Sequence, residues 1–251
     1  MKKSCAVFTI VKNEKFFLPI WLKHYAKYFD QADIYILDHQ STDGSTNNLR
    51  CNVVPVHNEL AFDHQWLCNT IQNFQSELLN KYNAVLFAES DELIYTLGDL
   101  RLNDYINNFI NSSSNYVTCV AYEVKQDLEN EPKYDSNRGI FLQRKNWYRH
   151  ELYDKTLLTK IPLTYSFGFH TCNYPKVFDN NLFLCHLHRF DFPLMLERHE
   201  ERATKWNLKD DKGAGFHHRI FEESELLTYF NSIPHPIELI PEIHLQSLHG
   251  I

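Results

Sequence analysis

Glycine is scarce, at seven residues in 251. None of the seven follows the first apolar run, where Lys12-Asn13-Glu14 stands instead, so a glycine-rich phosphate loop is excluded there. The cysteines form no CxxC pair. Cys5, Cys51, Cys68, Cys119, Cys172 and Cys185 are scattered, several within apolar runs. That pattern disfavours a zinc knuckle and reads as buried, reduced thiols in a cytoplasmic protein. No stretch approaches the roughly 20 apolar residues that span a bilayer. The run from Cys5 to Val11 is short and is closed by Lys12, so it reads as a buried strand rather than a signal segment. Positive charge is also short. The 25 Lys and Arg against 32 Asp and Glu leave a net charge of −7, which argues against a nucleic-acid footprint. A small phosphorylated ligand stays open, because a bound divalent cation supplies positive charge locally. Repeats and linker-like runs are missing as well, so residues 1–251 read as a single domain.

What is present is alternation. Residues 5–11, 34–37, 52–56 and 84–88 are apolar strand-like runs, and the second ends on Asp38. Between them, Phe17, Ile20, Trp21, His24, Tyr25 and Tyr28 recur at helical spacing, as do Trp66, Leu67, Thr70, Ile71, Phe74, Leu78 and Tyr82. This order predicts an α/β fold with a mainly parallel, Rossmann-like central sheet flanked by helices. The C-terminal half is less regular. Strands are expected over 116–124, 140–144, 156–159 and 182–188, with helices over 193–206 and 222–230. The polar stretch between Lys125 and Gly139 is long enough for a substrate loop.

In an open parallel sheet, ligands bind beyond the carboxyl ends of the strands. Three strand ends carry acids: Lys12-Asn13-Glu14, Asp38 with Ser41-Thr42-Asp43-Gly44, and Glu89-Ser90-Asp91-Glu92. Asp38 is suited to hold a nucleobase or ribose, whereas Asp43-Gly44 also suits an ordinary turn. Glu89 and Asp91, two apart on extended backbone, point the same way and can share one cation, or divide metal and sugar between them. Oxygen ligands of this kind suit Mg2+ or Mn2+, and the alternative is an acidic loop that neutralises a nearby Lys or Arg. His186 and His188 flank Leu187 at strand spacing that suits a metal site, and His170 after Phe-Gly-Phe is a third candidate. His217, His218, His235, His244 and His249 read as surface residues.

With those residues in hand, a resemblance emerges. Thr9-Ile10-Val11-Lys12-Asn13-Glu14, then Phe17-Leu18 and Trp21-Leu22-Lys23-His24-Tyr25, resembles the opening of glycosyltransferase family 2, in the subgroup with KNE and WLxHY blocks. The stretch from Ile36 to Ser45 resembles its second block, and Leu86 to Leu93 resembles its DxDEF block, with Glu89 in place of the first Asp. These blocks cover about the first 100 residues. Gly168-Phe169-His170 and Leu184-Cys185-His186, after a lysine matching Lys155, resemble its histidine blocks. The resemblance implies a GT-A fold, a nucleotide diphosphate-sugar donor, a divalent metal and inversion at the anomeric carbon. It implies residues 1–100 as the donor-binding half and 101–251 as the acceptor and metal-completing half. By position, Glu14, Asp38 and Asp43 would line the nucleoside pocket, Glu89 would touch ribose or donor sugar, Asp91 would hold metal, and His186 would be a further ligand.

The expected chemistry is a single displacement onto the hydroxyl of a carbohydrate or glycoconjugate acceptor, with a carboxylate as base. Glu151 is the first choice, because it follows Trp147-Tyr148-Arg149-His150, whose rings suit an acceptor sugar. Asp154 and Asp127 are the others. Two rivals are a nucleotidyltransferase, disfavoured by the missing glycine loop, and a non-catalytic carbohydrate-binding module. The evenly mixed charges over 194–206 give no membrane-docking face, and the segment 233–251 reads as an oligomer contact or a tail.

Overall fold

A computed structural model describes residues 2–205, 222–232 and 238–239. Its sheet begins with four strands, β1 (Lys3–Val11), β2 (Ile34–Asp38), β3 (Asn52–Pro55) and β4 (Tyr82–Phe87). They pair in the order β3-β2-β1-β4, and every one of these pairings is parallel. This is the Rossmann-like order that the strand and helix alternation predicts. The crossovers carry α1 (Phe17–Tyr25) and α2 (His64–Leu79). Asp63 starts α2 by accepting from the N–H groups of Gln65 (3.0 Å) and Trp66 (3.2 Å), the usual solution for orphan donors at a helix start.

Beyond β4 the chain adds β5 (Glu92–Thr96), α3 (Leu102–Asn111), β6 (Tyr116–Lys125), α4 (Ile140–Gln143), β7 (Asn146–Arg149), β8 (Lys155–Thr159) and β9 (Phe178–His186). The helices α5 (Phe192–Lys205) and α6 (Glu223–Asn231) and the two-residue β10 (Glu238–Leu239) complete it. β8 joins β4 and β6 antiparallel, while β9 lies parallel to β6 and antiparallel to β5. The fold class is therefore α/β with helices on a central sheet, parallel through β3-β2-β1-β4 and again where β9 joins β6.

The Trp21, His24 and Tyr25 side chains of α1 are fully buried. His24 Nε2 lies 2.9 Å from the Ile94 carbonyl, and the Tyr25 hydroxyl donates to Glu92 O while accepting from Ile94 N–H, both at 3.2 Å. The WLxHY block thus docks α1 onto β5. One core cluster runs from β1 through β9, and a smaller one joins α5 to α6 through Phe192, Met195, Leu226 and Phe230.

One sequence expectation changes. Residues 140–144, expected as a strand, form one helical turn at α4, because the Gln143 amide donates to the carbonyls of Asp135, Arg138 and Gly139 and closes the chain on itself. The short run Ile140-Phe141 fits either period, so sequence alone did not separate them. β5 and α3 occupy a stretch that carried no expectation. The polar segment after Lys125 is tied down by the Gln126 amide, which donates to the Glu131 and Pro132 carbonyls at 3.0 and 3.1 Å. Among the described residues no helix is long and apolar enough to cross a membrane. All six cysteines are free thiols. Trp206, His217, His218, His235, His244 and His249 lie outside the described residues, as does the 233–251 segment apart from β10.

Candidate active site

The carboxyl ends of β1 and β4 open into a cavity of about 360 Å³. The turn after β1 depends on Asn13, which adopts φ 54°, a left-handed conformation that asparagine tolerates better than most residues. Its N–H donates to Ser41 Oγ (3.1 Å), and its side-chain oxygen accepts from Thr42 N–H (2.8 Å). That turn aims the next residue, Glu14, into the cavity, where it is buried. After β4 the chain does not stay extended. Glu92 N–H donates to the Glu89 carbonyl (3.0 Å), and the buried Glu92 carboxylate accepts from Glu89 N–H (2.9 Å). The turn sends Glu89 and Asp91 to different partners.

Those partners are the protein's own cations. Lys155, at the start of β8, is buried, hydrogen-bonds Glu89, and lies 2.7 Å from Glu92 Oε1. Burial opposes its charge, but Glu89 and Glu92 outweigh burial and raise its pKa. Arg198 of α5 spans the other gap. Its Nη1 donates to Asp91 at 2.5 Å, and its Nη2 and Nε donate to Glu14 Oε1 at 2.6 and 3.2 Å. Arg202, one turn on, reaches the same Glu14 oxygen at 3.7 Å. Burial alone would push the Asp91 carboxyl up, but Arg198 and His186 hold it well below the usual carboxylate range. In Glu14 burial wins over Arg198 and Arg202, and its pKa is raised.

His186 ends β9 directly opposite Glu92 and Glu123 in the two ladders, and Leu187 N–H donates to the Asp91 carbonyl at 2.9 Å. Its Nδ1 is hydrogen-bonded to the fully buried Glu123 carboxylate, whose other oxygen accepts from Arg189 N–H at 2.7 Å. Burial disfavours the imidazolium, but Glu123 outweighs it and lifts His186 to about 9. The folded pKa therefore lies above the unfolded value near 6.5. The pair stabilises the fold fully below about pH 6.5, and that contribution is lost as pH rises through about 9. In EDTA, urea unfolding should show wild type losing roughly 3 kcal/mol relative to Glu123→Gln across this window. Parallel curves would disprove the pairing.

His188 and His170 also line the cavity. Burial holds both imidazoles neutral, His170 at about 3 and His188 well below its ordinary value. His170 lies over Tyr153, with ring centroids 5.6 Å apart, and its Nδ1 is buried without a hydrogen-bond partner among the described residues. Gly168 makes room for it: φ is 75°, and a Cβ there would stand 2.8 Å from the His170 ring. Phe62, His64, Phe167 and Phe169 make this end aromatic, with His64 and Phe167 nearly parallel at 5.2 Å.

Asp38 and Asp43 do not line the cavity. Asp38 accepts from Ser41 N–H and Thr46 Oγ1, both at 2.9 Å, and exposed Asp43 accepts from Lys15 and Ser45 N–H groups, also at 2.9 Å. Both shape the loop beside the β1 turn. None of the three acids expected as base reaches the cavity either. Asp154 is buried in an ion pair with Arg149 (2.7 Å) and accepts from Ala121 N–H (2.8 Å). Glu151 is exposed on a short helical turn. Asp127 caps a turn by accepting from Glu129 and Asn130, in a separate cleft with Arg138 and Lys145. Asp154 sits between the helical turn that ends at Tyr153 and the start of β8, and its carboxylate is held by Arg149 and Ala121 N–H while Tyr153 and Lys155 line the cavity.

Arg198, Arg202, Glu123 and the pairing role of Lys155 escaped the sequence reading. The signal for the arginines was spacing. Met195, Arg198, His199 and Arg202 recur at helical period on one face, although the charge balance of the segment looks even. Glu123 is an acid inside an otherwise apolar strand, and burial of such a group calls for a partner.

No protein-family model and no curated protein sequence matches the chain. Solved structures match in part. A mannosyltransferase from Pyrobaculum calidifontis, in complex with GDP-Man and Mn2+, is 16% identical over 52% of this chain and 38% of its own, with a TM-score of 0.30. WbbM, a bifunctional glycosyltransferase, is 10% identical over 51% and 24%, with a TM-score of 0.29. A UDP-glucose pyrophosphorylase complexed with UDP-glucose is 15% identical over 74% and 75%, with a TM-score of 0.31. The chain thus spans well under two thirds of the two glycosyltransferases. Similarity this low leaves the argument about function to the cavity itself.

Proposed function

We propose that the chain is a glycosyltransferase that moves a sugar from a nucleotide diphosphate-sugar to an acceptor hydroxyl, with inversion, in glycan or surface polysaccharide synthesis. The observation that carries this reading is the meeting of Asp91 and His186 in a cavity walled by Lys12, Lys155, Arg198 and Arg202. Cationic side chains beyond the carboxyl ends of parallel strands suit a diphosphate.

The donor set supports a divalent cation, Mn2+ or Mg2+. No group of three or more His, Cys, Asp and Glu side chains with metal-holding geometry occurs among the described residues. Such ions, however, are held at phosphate sites by one or two protein ligands plus the substrate's oxygens. Asp91 is buried and ionised, and His186, whose Nδ1 is fixed by a carboxylate, would bind the cation through Nε2 with release of its proton. When bound, the cation would neutralise charge on the departing diphosphate. His170 and His188 stand nearby as further candidates.

The protein's own part is positional. Lys155 and the α5 arginines place positive charge where the leaving group gains negative charge. Glu89, whose side chain is 35% exposed, is the wall carboxylate most open to a sugar hydroxyl. The Phe62, His64 and Phe167 rings offer apolar faces to a sugar. In this reading residues 1–251 act as one unit, with the first hundred supplying the donor side. A panel of nucleoside diphosphates tests it. One of them must stabilise the protein in a cation-dependent way, and a folded sample stabilised by none would favour a sugar-binding module without catalysis.

A further inference from the structure

Arg198 occupies the position that the donor reading needs for other purposes. Its guanidinium is bonded to Asp91, the carboxylate assigned to the divalent cation, and to Glu14 across the same cavity. A divalent ion and a guanidinium on one carboxylate repel each other, so the two compete for Asp91. The arrangement around Arg198 also permits its departure. Arg202 already faces the same Glu14 oxygen, so Glu14 keeps a cationic neighbour when Arg198 leaves. The guanidinium lies over the Phe17 ring, 4.6 Å from its centroid, a surface along which it can move while staying in contact.

The charges balance in both states. Without ligand, Glu14 and Asp91 offset Arg198 and Arg202. A nucleoside diphosphate sugar brings about two negative charges, and a divalent cation brings two positive ones. Asp91 then passes to the metal, and Arg198 faces the diphosphate, whose oxygens match its planar fork.

We propose that Arg198 is an exchangeable cation, which holds Asp91 and Glu14 in the empty site and transfers to the donor's diphosphate when metal and donor enter together. This rests on the donor reading above. It makes metal and diphosphate binding mutually dependent, since each removes what blocks the other.

Calorimetric titration of Mn2+ alone, of inorganic pyrophosphate alone and of both together tests the proposal, in wild type, Arg198→Ala and Arg198→Lys. In wild type, pyrophosphate should tighten Mn2+ binding by at least about tenfold. In Arg198→Ala, Mn2+ alone should bind at least about tenfold tighter than in wild type, while pyrophosphate with Mn2+ binds at least about tenfold weaker. Arg198→Lys keeps the charge but loses the fork, and should fall between. If Arg198→Ala does not fold, the wild-type coupling and the lysine variant decide. Wild type that binds Mn2+ and pyrophosphate independently, or variants that match wild type, would overturn the exchange while leaving the donor reading intact. Wild type that binds neither pyrophosphate nor any nucleoside diphosphate would instead remove the donor reading itself.

Discussion

Asp91→Asn is expected to lower sugar transfer by on the order of 10³-fold, about 4 kcal/mol of barrier, and to abolish the metal dependence of donor binding. The substitution keeps size and shape and removes only the charge. Asp91 is held ionised by Arg198 and His186 against the pull of burial, so that charge is present throughout the physiological range. Stability should fall as well, because Arg198 loses one partner of a buried ion pair and keeps only its bonds to Glu14. Donor titrations with Mn2+ and with EDTA separate the outcomes. Unchanged metal-dependent affinity in a folded Asp91→Asn protein would take Asp91 out of the site.

The largest effect on stability is expected at Lys155. This buried ammonium faces Glu89 and Glu92, and Glu92 is fully buried, with burial raising its pKa. Lys155→Met leaves the carboxylates without their cation. Breaking a buried pair from one side costs about 3–5 kcal/mol, which for a chain of this size lowers Tm by roughly 10 °C. Adding Glu92→Gln should restore most of the loss, since an amide needs no countercharge and still accepts from Glu89 N–H. Equal melting of Lys155→Met and wild type would show that solvent, not Lys155, compensates these acids.

These two positions also show how far the sequence could be read. The parallel strands and their crossing helices were legible, because buried strands read as continuous apolar runs and α1 and α2 repeat at helical period. The acids that end β1 and β4 were legible as cavity residues for the same reason: an apolar strand tells where its last side chain emerges. What covers those acids was not. The acids after β4 were expected to hold a cation or to neutralise a nearby Lys or Arg, but which residue does so was not legible, since Lys155 lies 66 residues beyond Glu89 and Arg198 107 beyond Asp91. Pairing over such separations depends on how β8 and α5 pack, which no local pattern encodes. That the three base candidates lie outside the cavity was not legible for a related reason. Asp154 sits one residue from the cavity-lining Lys155, but it caps a helical turn just before β8 and its carboxylate is taken by Arg149 and Ala121 N–H. Asp38 ends an apolar strand as expected, but its loop folds back and both of its oxygens are taken by Ser41 and Thr46.

The central claim is that this cavity takes a nucleoside diphosphate together with a divalent cation. Thermal-shift measurements with UDP, GDP, CDP and dTDP, each with Mn2+ and with EDTA, test it most directly. The expected result is stabilisation by one of the four that requires Mn2+ and is lost in Asp91→Asn. A folded protein that none of the four stabilises, with or without metal, would contradict the claim.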